Sequence, residues 1–128
     1  MARILVIDDE PHVRDMVAGF LTDEGYEAAT AEDGRAGAAL FRQSPFDLVI
    51  TDILMPEQEG LETIMQLRRL CPGVKIVAAS GGSPRMELDV LMIAKRLGAV
   101  RTVRKPIDLA ELLALVREVL AEPAGRAA

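Results

Sequence analysis

A chain of 128 residues, half of them apolar and 27% charged, holds enough apolar material for one domain with a proper core and is too balanced for a disordered tail. Its net charge of −5 and 3% aromatic content, with no tryptophan, argue against a nucleic-acid-binding face, which needs a basic footprint and, for single strands, stacking rings. One cysteine, Cys71, excludes an intramolecular disulfide; with no signal peptide and no apolar stretch near the ~20 residues that span a bilayer, a cytoplasmic protein without membrane contact is expected.

The first predicted element is a strand at residues 4–7, "ILVI", which ends in the acids Asp8 and Asp9. Pro11 suits a first helical turn, and Val13, Met16, Val17, Phe20 and Leu21 follow at i, i+3, i+4, i+7 and i+8, one face of an amphipathic helix that Gly25 terminates. A weaker strand is predicted at residues 26–31, and a strong one, "LVIT", at residues 48–51, delivering Asp52 at its end. The chain then turns at Met55-Pro56 and relaxes at Gly60 before the next helix. The fourth strand, "KIVAAS" at residues 75–80, closes on Ser80 and is followed by Gly81 and Gly82. Ser83 as N-cap and Pro84 open a helix that runs to Leu97 and ends at Gly98. In it Leu88, Val90, Leu91, Met92, Ile93, Ala94 and Leu97 cover too much of the circumference for burial on one face, so it is either a partner interface or deeply packed. A fifth strand at residues 100–103 leads to Lys105, and Leu109, Leu112, Leu113, Val116, Val119 and Leu120 give a last helix, with Asp108 and Glu111 at capping-box spacing.

Five strands alternating with five helices predict a parallel sheet covered on both faces. The continuous apolar runs suit central strands, whereas "VRTVR", with Arg101 and Arg104, suits an edge. Right-handed crossovers bring every carboxyl end to one rim, where such sheets bind ligands. If the first and third strands are neighbours, roughly 5 Å apart, Asp8, Asp9 and Asp52 meet there and repel one another. A hard cation relieves that repulsion: Mg²⁺ takes oxygen ligands and uses one or two carboxylates beside phosphate oxygens. The adjacent Asp8-Asp9 pair suits the ion and leaves Asp52 for chemistry. Ser80 and Lys105 close neighbouring strands on the same rim, adding a hydroxyl and an ammonium. Any one of these residues alone reads as a turn former, a hydrogen-bonded strand end or a solvated lysine. Together they are what phosphoryl transfer to a carboxylate requires, the acid being the nucleophile of an acyl phosphate.

The motifs "IDDE", "DILMPEQEG", "ASGG", "LGA" and "RKP", in this order and spacing, resemble a bacterial two-component response-regulator receiver domain of the single-domain, chemotaxis-regulator-like type, over essentially the whole chain. The resemblance implies a flavodoxin-like (βα)5 three-layer fold with strand order 2-1-3-4-5, a receiver over residues 1–122 and a short tail over 123–128. It implies that Asp52 accepts a phosphoryl group from a phosphohistidine on a sensor histidine kinase or histidine phosphotransfer protein. By position, Asp9 ligates Mg²⁺ directly, Asp8 helps, often through water, and Asp52 and the backbone carbonyl of Leu54 complete the protein ligands. Ser80 binds a phosphoryl oxygen, Lys105 pairs with the phosphate, and the Lys105-Pro106 bond is cis. Such a domain catalyses only its own phosphorylation and dephosphorylation, and signals to an output protein through its fourth helix, fifth strand and fifth helix. Two positions depart from the family pattern: Thr102 stands where a Tyr or Phe switch residue is usual, and Gly81 where Ala is common.

Three other readings compete. An aspartyl phosphatase needs a second acid two residues after the nucleophile, and Asp52-Ile53-Leu54 lacks it. A flavin or nucleotide binder needs a loop of backbone N–H donors after the first strand, where "DDEP" presents acids. A degenerate receiver, acting without phosphorylation, is kept open by Thr102. His12 reads as an exposed helix residue, Cys71 as packing, and the six methionines mostly as core filler.

Overall fold

In the computed structural model the strands are β1 (Arg3–Ile7), β2 (Glu27–Ala31), β3 (Leu48–Asp52), β4 (Lys75–Ser80) and β5 (Arg101–Arg104), and unbroken aliphatic runs fill most of β1, β3 and β4 but not β2 or β5. Between and after them lie α1 (Pro11–Asp23), α2 (Gly34–Gln43), α3 (Glu59–Leu70), helical residues 92–97 (α4) and α5 (Leu109–Ala121). The structure describes residues 2–53, 59–81 and 92–122; for residues 59 and 60 it describes the backbone. Leu54, Met55, Pro56, Gly82, Ser83, Pro84, Leu88, Val90, Leu91 and the tail at 123–128, all singled out above, lie outside it.

All five strands are parallel in the order β2-β1-β3-β4-β5, as the family resemblance implies. Every residue of β3 is buried, and β1 is buried after Arg3, as central strands covered on both faces must be. Strand alternation sorts side chains into two cores. Leu5, Ile7, Val49, Ile76 and Ala78 pack with Phe41, Ile64, Leu67 and Ala94 from α2, α3 and α4. On the other face Ile4, Val6, Leu48, Ile50 and Val77 pack with Val17 and Leu21 of α1 and Leu112, Val116 and Val119 of α5. Each buried Val, Leu, Ile or Phe among them contributes about 1.5–3 kcal/mol.

Local signals explain the helix ends. Asp33 and Asp108 cap α2 and α5, accepting hydrogen bonds from Ala36 N at 2.8 Å and Glu111 N at 3.1 Å. Pro11 begins α1, and Gly25 (φ 97°) and Gly98 (φ 130°) take left-handed conformations just past helix ends. The fifth strand lies one residue later than its sequence pattern, because Val100 N bonds Ile76 O as a lead-in and pairing runs on through Arg104. The methionines correct a prediction: Met16, Met65 and Met92 are exposed rather than core filler. On α4, Met92 and Ile93 face solvent while Ala94 is buried, so at these positions the helix is not deeply packed. No helix among the described residues is long and apolar enough to cross a membrane.

The two helices on one face approach closely at Gly34, where a β-carbon would lie 1.8 Å from Thr63 Oγ1 and 3.0 Å from Thr63 Cβ. Gly34→Ala is therefore expected to lower stability by about 1–3 kcal/mol, the range for overpacking. Urea denaturation checks this; adding Thr63→Ala should restore part of the loss.

Candidate functional site

The carboxyl rim gathers its groups strand by strand. Asp8 continues β1 by one residue, its N–H donating to Ala31 O at 3.1 Å, and its Oδ1 accepts the N–H of Glu10 at 2.9 Å. Arg14, one turn into α1, donates to the carbonyl of Asp8 at 2.9 Å and ties the acidic loop to the helix. Asp52 ends β3 in register with Ala79, and Ser80 ends β4 in register with Arg104. Lys105 leaves β5 with its N–H bonded to Ser80 O at 2.8 Å, and the Lys105-Pro106 bond is cis.

From there the Lys105 ammonium reaches inward and donates to Asp8 Oδ2 at 2.9 Å and Asp52 Oδ2 at 3.0 Å. Asp8 and Asp52 are 3% and 4% exposed. Two carboxylates this deep need compensation, and a shared cation supplies it. Burial alone would pull the Lys105 pKa down, but hydrogen bonds to Asp8 and Asp52, with their negative charges, outweigh it and hold the pKa above the ordinary lysine value.

Two further features bear on ligands. The Ser80 hydroxyl is wholly buried and has no hydrogen-bond partner among the described residues, an open valence that buried polar atoms seldom keep. The carboxylates of Asp8, Asp9 and Glu10 lie within 4.8 Å of one another, close enough for one hard cation. This donor set is all oxygen, as Mg²⁺ prefers, so the residues present fit such an ion. Its third acid, Glu10, was not singled out by sequence reasoning, although it stands in "IDDE" and a sweep for acids after the first strand would have found it. Glu10 is also the N-cap of α1, yet its side chain makes no capping bond. Asp52 falls outside that acid group and is linked to Asp8 through Lys105 instead. Thr102, half-buried on β5, lines an open pocket of about 490 Å³ with Lys105, Ile107 and Leu115. His12 is exposed and Cys71 packs against the core, as expected.

Known proteins share this fold. A family model described as the response regulator receiver domain matches residues 4–117. The response regulator receiver protein Anae109_2439 of Anaeromyxobacter sp. (strain Fw109-5) is 36% identical over 115 residues, covering 90% of this chain and 47% of that protein. The sensory transduction protein RegX3 of Mycobacterium tuberculosis is 33% identical over 120 residues, covering 94% of this chain and 51% of that one. The chain thus spans about half the length of these relatives. Among solved structures, the receiver domain of NtrX from Brucella abortus superposes with a TM-score of 0.87 at 31% identity, covering 94% of this chain and 99% of that one. A CheY-like response regulator receiver domain protein from Methanospirillum hungatei JF-1 gives 0.86 at 30% identity, with 94% of each chain covered.

Removing the shared cation while keeping its stem tests the charge balance. Lys105→Met is expected to lower stability by about 3 kcal/mol at neutral pH in the presence of a chelator, the low end for a broken buried pair. Because the folded pKa of Lys105 is raised, its contribution is present in full below the unfolded value of about 10.4 and is lost as pH rises through the folded value. Urea denaturation of both proteins should show a gap that is level from about pH 7 to 10 and closes at higher pH.

Proposed function

The chain belongs to the response-regulator receiver-domain family, and on that premise we propose that Asp52 is its phosphoacceptor, taking a phosphoryl group from a phosphohistidine on a sensor histidine kinase or histidine phosphotransfer protein. The observation that carries this reading is the Lys105 ammonium held between Asp52 and Asp8, on a rim that also carries the buried Ser80 hydroxyl, unpartnered among the described residues.

An Asp52 carboxylate oxygen attacks phosphorus, the phosphorus–nitrogen bond to the donor imidazole breaks, and an acyl phosphate results. Lys105 lies where negative charge accumulates on the phosphoryl oxygens, and Ser80 donates its free hydroxyl to one of them. Mg²⁺, held by Asp9 with Asp8, Asp52 and the Leu54 carbonyl, supplies further neutralisation and alignment when bound. Attack by water on phosphorus then returns the Asp52 carboxylate and inorganic phosphate. The protein thus promotes only its own modification and its reversal.

The acyl phosphate shifts conformation only insofar as it interacts better with one state than the other. Ser80 is where that difference arises, since a buried hydroxyl gains a partner. With Thr102 in place of a ring, the response passes through Ser80 and Gly81 rather than an aromatic rotamer. Output runs through α4, β5 and α5, where Met92 and Ile93 present apolar surface to a partner protein. Thr102 also favours the second reading, a receiver that binds partners without being phosphorylated.

Labelling by acetyl phosphate separates the two. Wild-type protein with Mg²⁺ should gain one phosphoryl group, located on Asp52 by mass spectrometry, whereas Asp52→Asn or a chelator should abolish it. Labelling that persists in Asp52→Asn refutes the acceptor assignment, and an unlabelled wild type supports the second reading.

A further inference from the structure

Lys105 reaches its carboxylates over the top of Gly81. A β-carbon on Gly81 would lie 3.1 Å from Lys105 Cβ, 3.6 Å from Cδ and 3.8 Å from Cγ, so the aliphatic stem runs flat against the face of residue 81 that has no side chain. The glycine is not there for backbone freedom. Only Gly25 and Gly98 among the described glycines have a positive φ, and an alanine at 81 would meet no left-handed strain.

The stem is pinned at both ends. Its backbone N–H is bonded to Ser80 O at 2.8 Å, and its ammonium to Asp8 and Asp52 at 2.9 and 3.0 Å. The tightest contact is at Cβ, which the end of β5 holds in place, rather than at a flexible tip. Relief of even a few tenths of an ångström must therefore pass along the stem to the ammonium, and hydrogen bonds of this kind span only about 2.7–3.2 Å.

We propose that Gly81 is a positioning residue for phosphoryl transfer: its bare α-carbon is the seat that sets how far the Lys105 ammonium reaches in, and so how it is shared between Asp52 and Asp8. The proposal rests on the reading of Asp52 as acceptor for its catalytic consequence, but the seat itself is a property of the unmodified protein. Residue 81 acts through Lys105, not through the looseness of its loop or the width of the entrance for the phosphodonor.

A double-mutant cycle distinguishes these routes. Gly81→Ala is expected to slow labelling of Asp52 by acetyl phosphate about 3- to 10-fold, in keeping with the sensitivity of such reactions to sub-ångström misplacement. In a Lys105→Ala background, where no stem remains to be displaced, the same substitution should change the rate less than about twofold, the cycle then showing full coupling. Equal slowing in both backgrounds overturns the proposal, as does no slowing in either. A second measurement needs no reaction. The chain has three lysines, Lys75, Lys95 and Lys105, and the NMR signal of a carboxylate-held ammonium is resolved by its slow proton exchange. In metal-free Gly81→Ala the Lys105 ammonium signal should shift and broaden, while that of Lys75, bonded to Leu120 O and Glu122 O at the far rim, stays in place and reports an intact fold. An unmoved Lys105 signal overturns the proposal. If that signal moves but wild-type Asp52 is never labelled, the acceptor reading falls and the seat stands.

Discussion

Everything at the carboxyl rim depends on one charge balance, the Lys105 ammonium set between the buried carboxylates of Asp8 and Asp52. The partners are 97 and 53 residues apart in the chain, so only the sheet order brings them together. With β3 between β1 and β4, Asp8 and Asp52 sit on adjacent strands, and Lys105 comes from two strands beyond Asp52. It must therefore cross the end of β4. Ala78, Ala79, Ser80 and Gly81 are all small, and that run of small residues lets a lysine stem pass close to the backbone on its way to β3. The composition of one strand end is thus a condition for the placement of a side chain from another.

Much of this was legible in the sequence because strand ends are a simple address. An apolar run that stops at an acid, a hydroxyl or a lysine says where that group lies once the sheet is parallel, and Asp8, Asp9, Asp52, Ser80 and Lys105 were all found that way. What escaped depends on paths rather than addresses. Glu10 was passed over because two acids already satisfied the expected need for metal ligands, although the turn made by Glu10 N and Asp8 Oδ1 folds all three carboxylates together. The Arg14 bond to the Asp8 carbonyl joins a helix face to a loop, and no periodicity reports it. Gly81 stood out only as a departure from the family's usual Ala, and its approach to the Lys105 stem is a contact that no residue pattern reports. The start of β5 slipped by one because Val100 is as good a strand former as Val103, and only the register with β4 decides between them.

The buried Ser80 hydroxyl bears on energetics as well as chemistry. An unmade hydrogen bond at a fully buried site costs about 1–3 kcal/mol, a deficit that an incoming oxygen acceptor removes. On the proposed reading Lys105 would face the complementary change, since a phosphoryl group on Asp52 would replace one of its carboxylate partners with a group of greater negative charge. Both gains exist only in the modified form, which is the kind of differential interaction a two-state switch needs. Neither requires a ring at residue 102.

The opposite rim is organised on the contrary principle, and the contrast explains how a poised site can be tolerated in a small domain. There Arg3 alone donates through its backbone N–H to Asp47 at 2.8 Å and through its guanidinium to Pro45 O at 2.8 Å, to Glu27 at 3.1 Å and to Ser44, while lying 4.5 Å from the centre of the Phe46 ring. Lys75 fastens the end of α5 to the start of β4 through the carbonyls of Leu120 and Glu122. These bonds hold the amino ends of the central strands and the last helix in a fixed frame. The amino rim is thus tied by several exposed bonds, whereas the carboxyl rim turns on one buried lysine that divides its bonds between two acids. Rearrangement at the carboxyl rim can then turn on Ser80, Gly81 and Lys105 without disturbing the register on which their meeting depends.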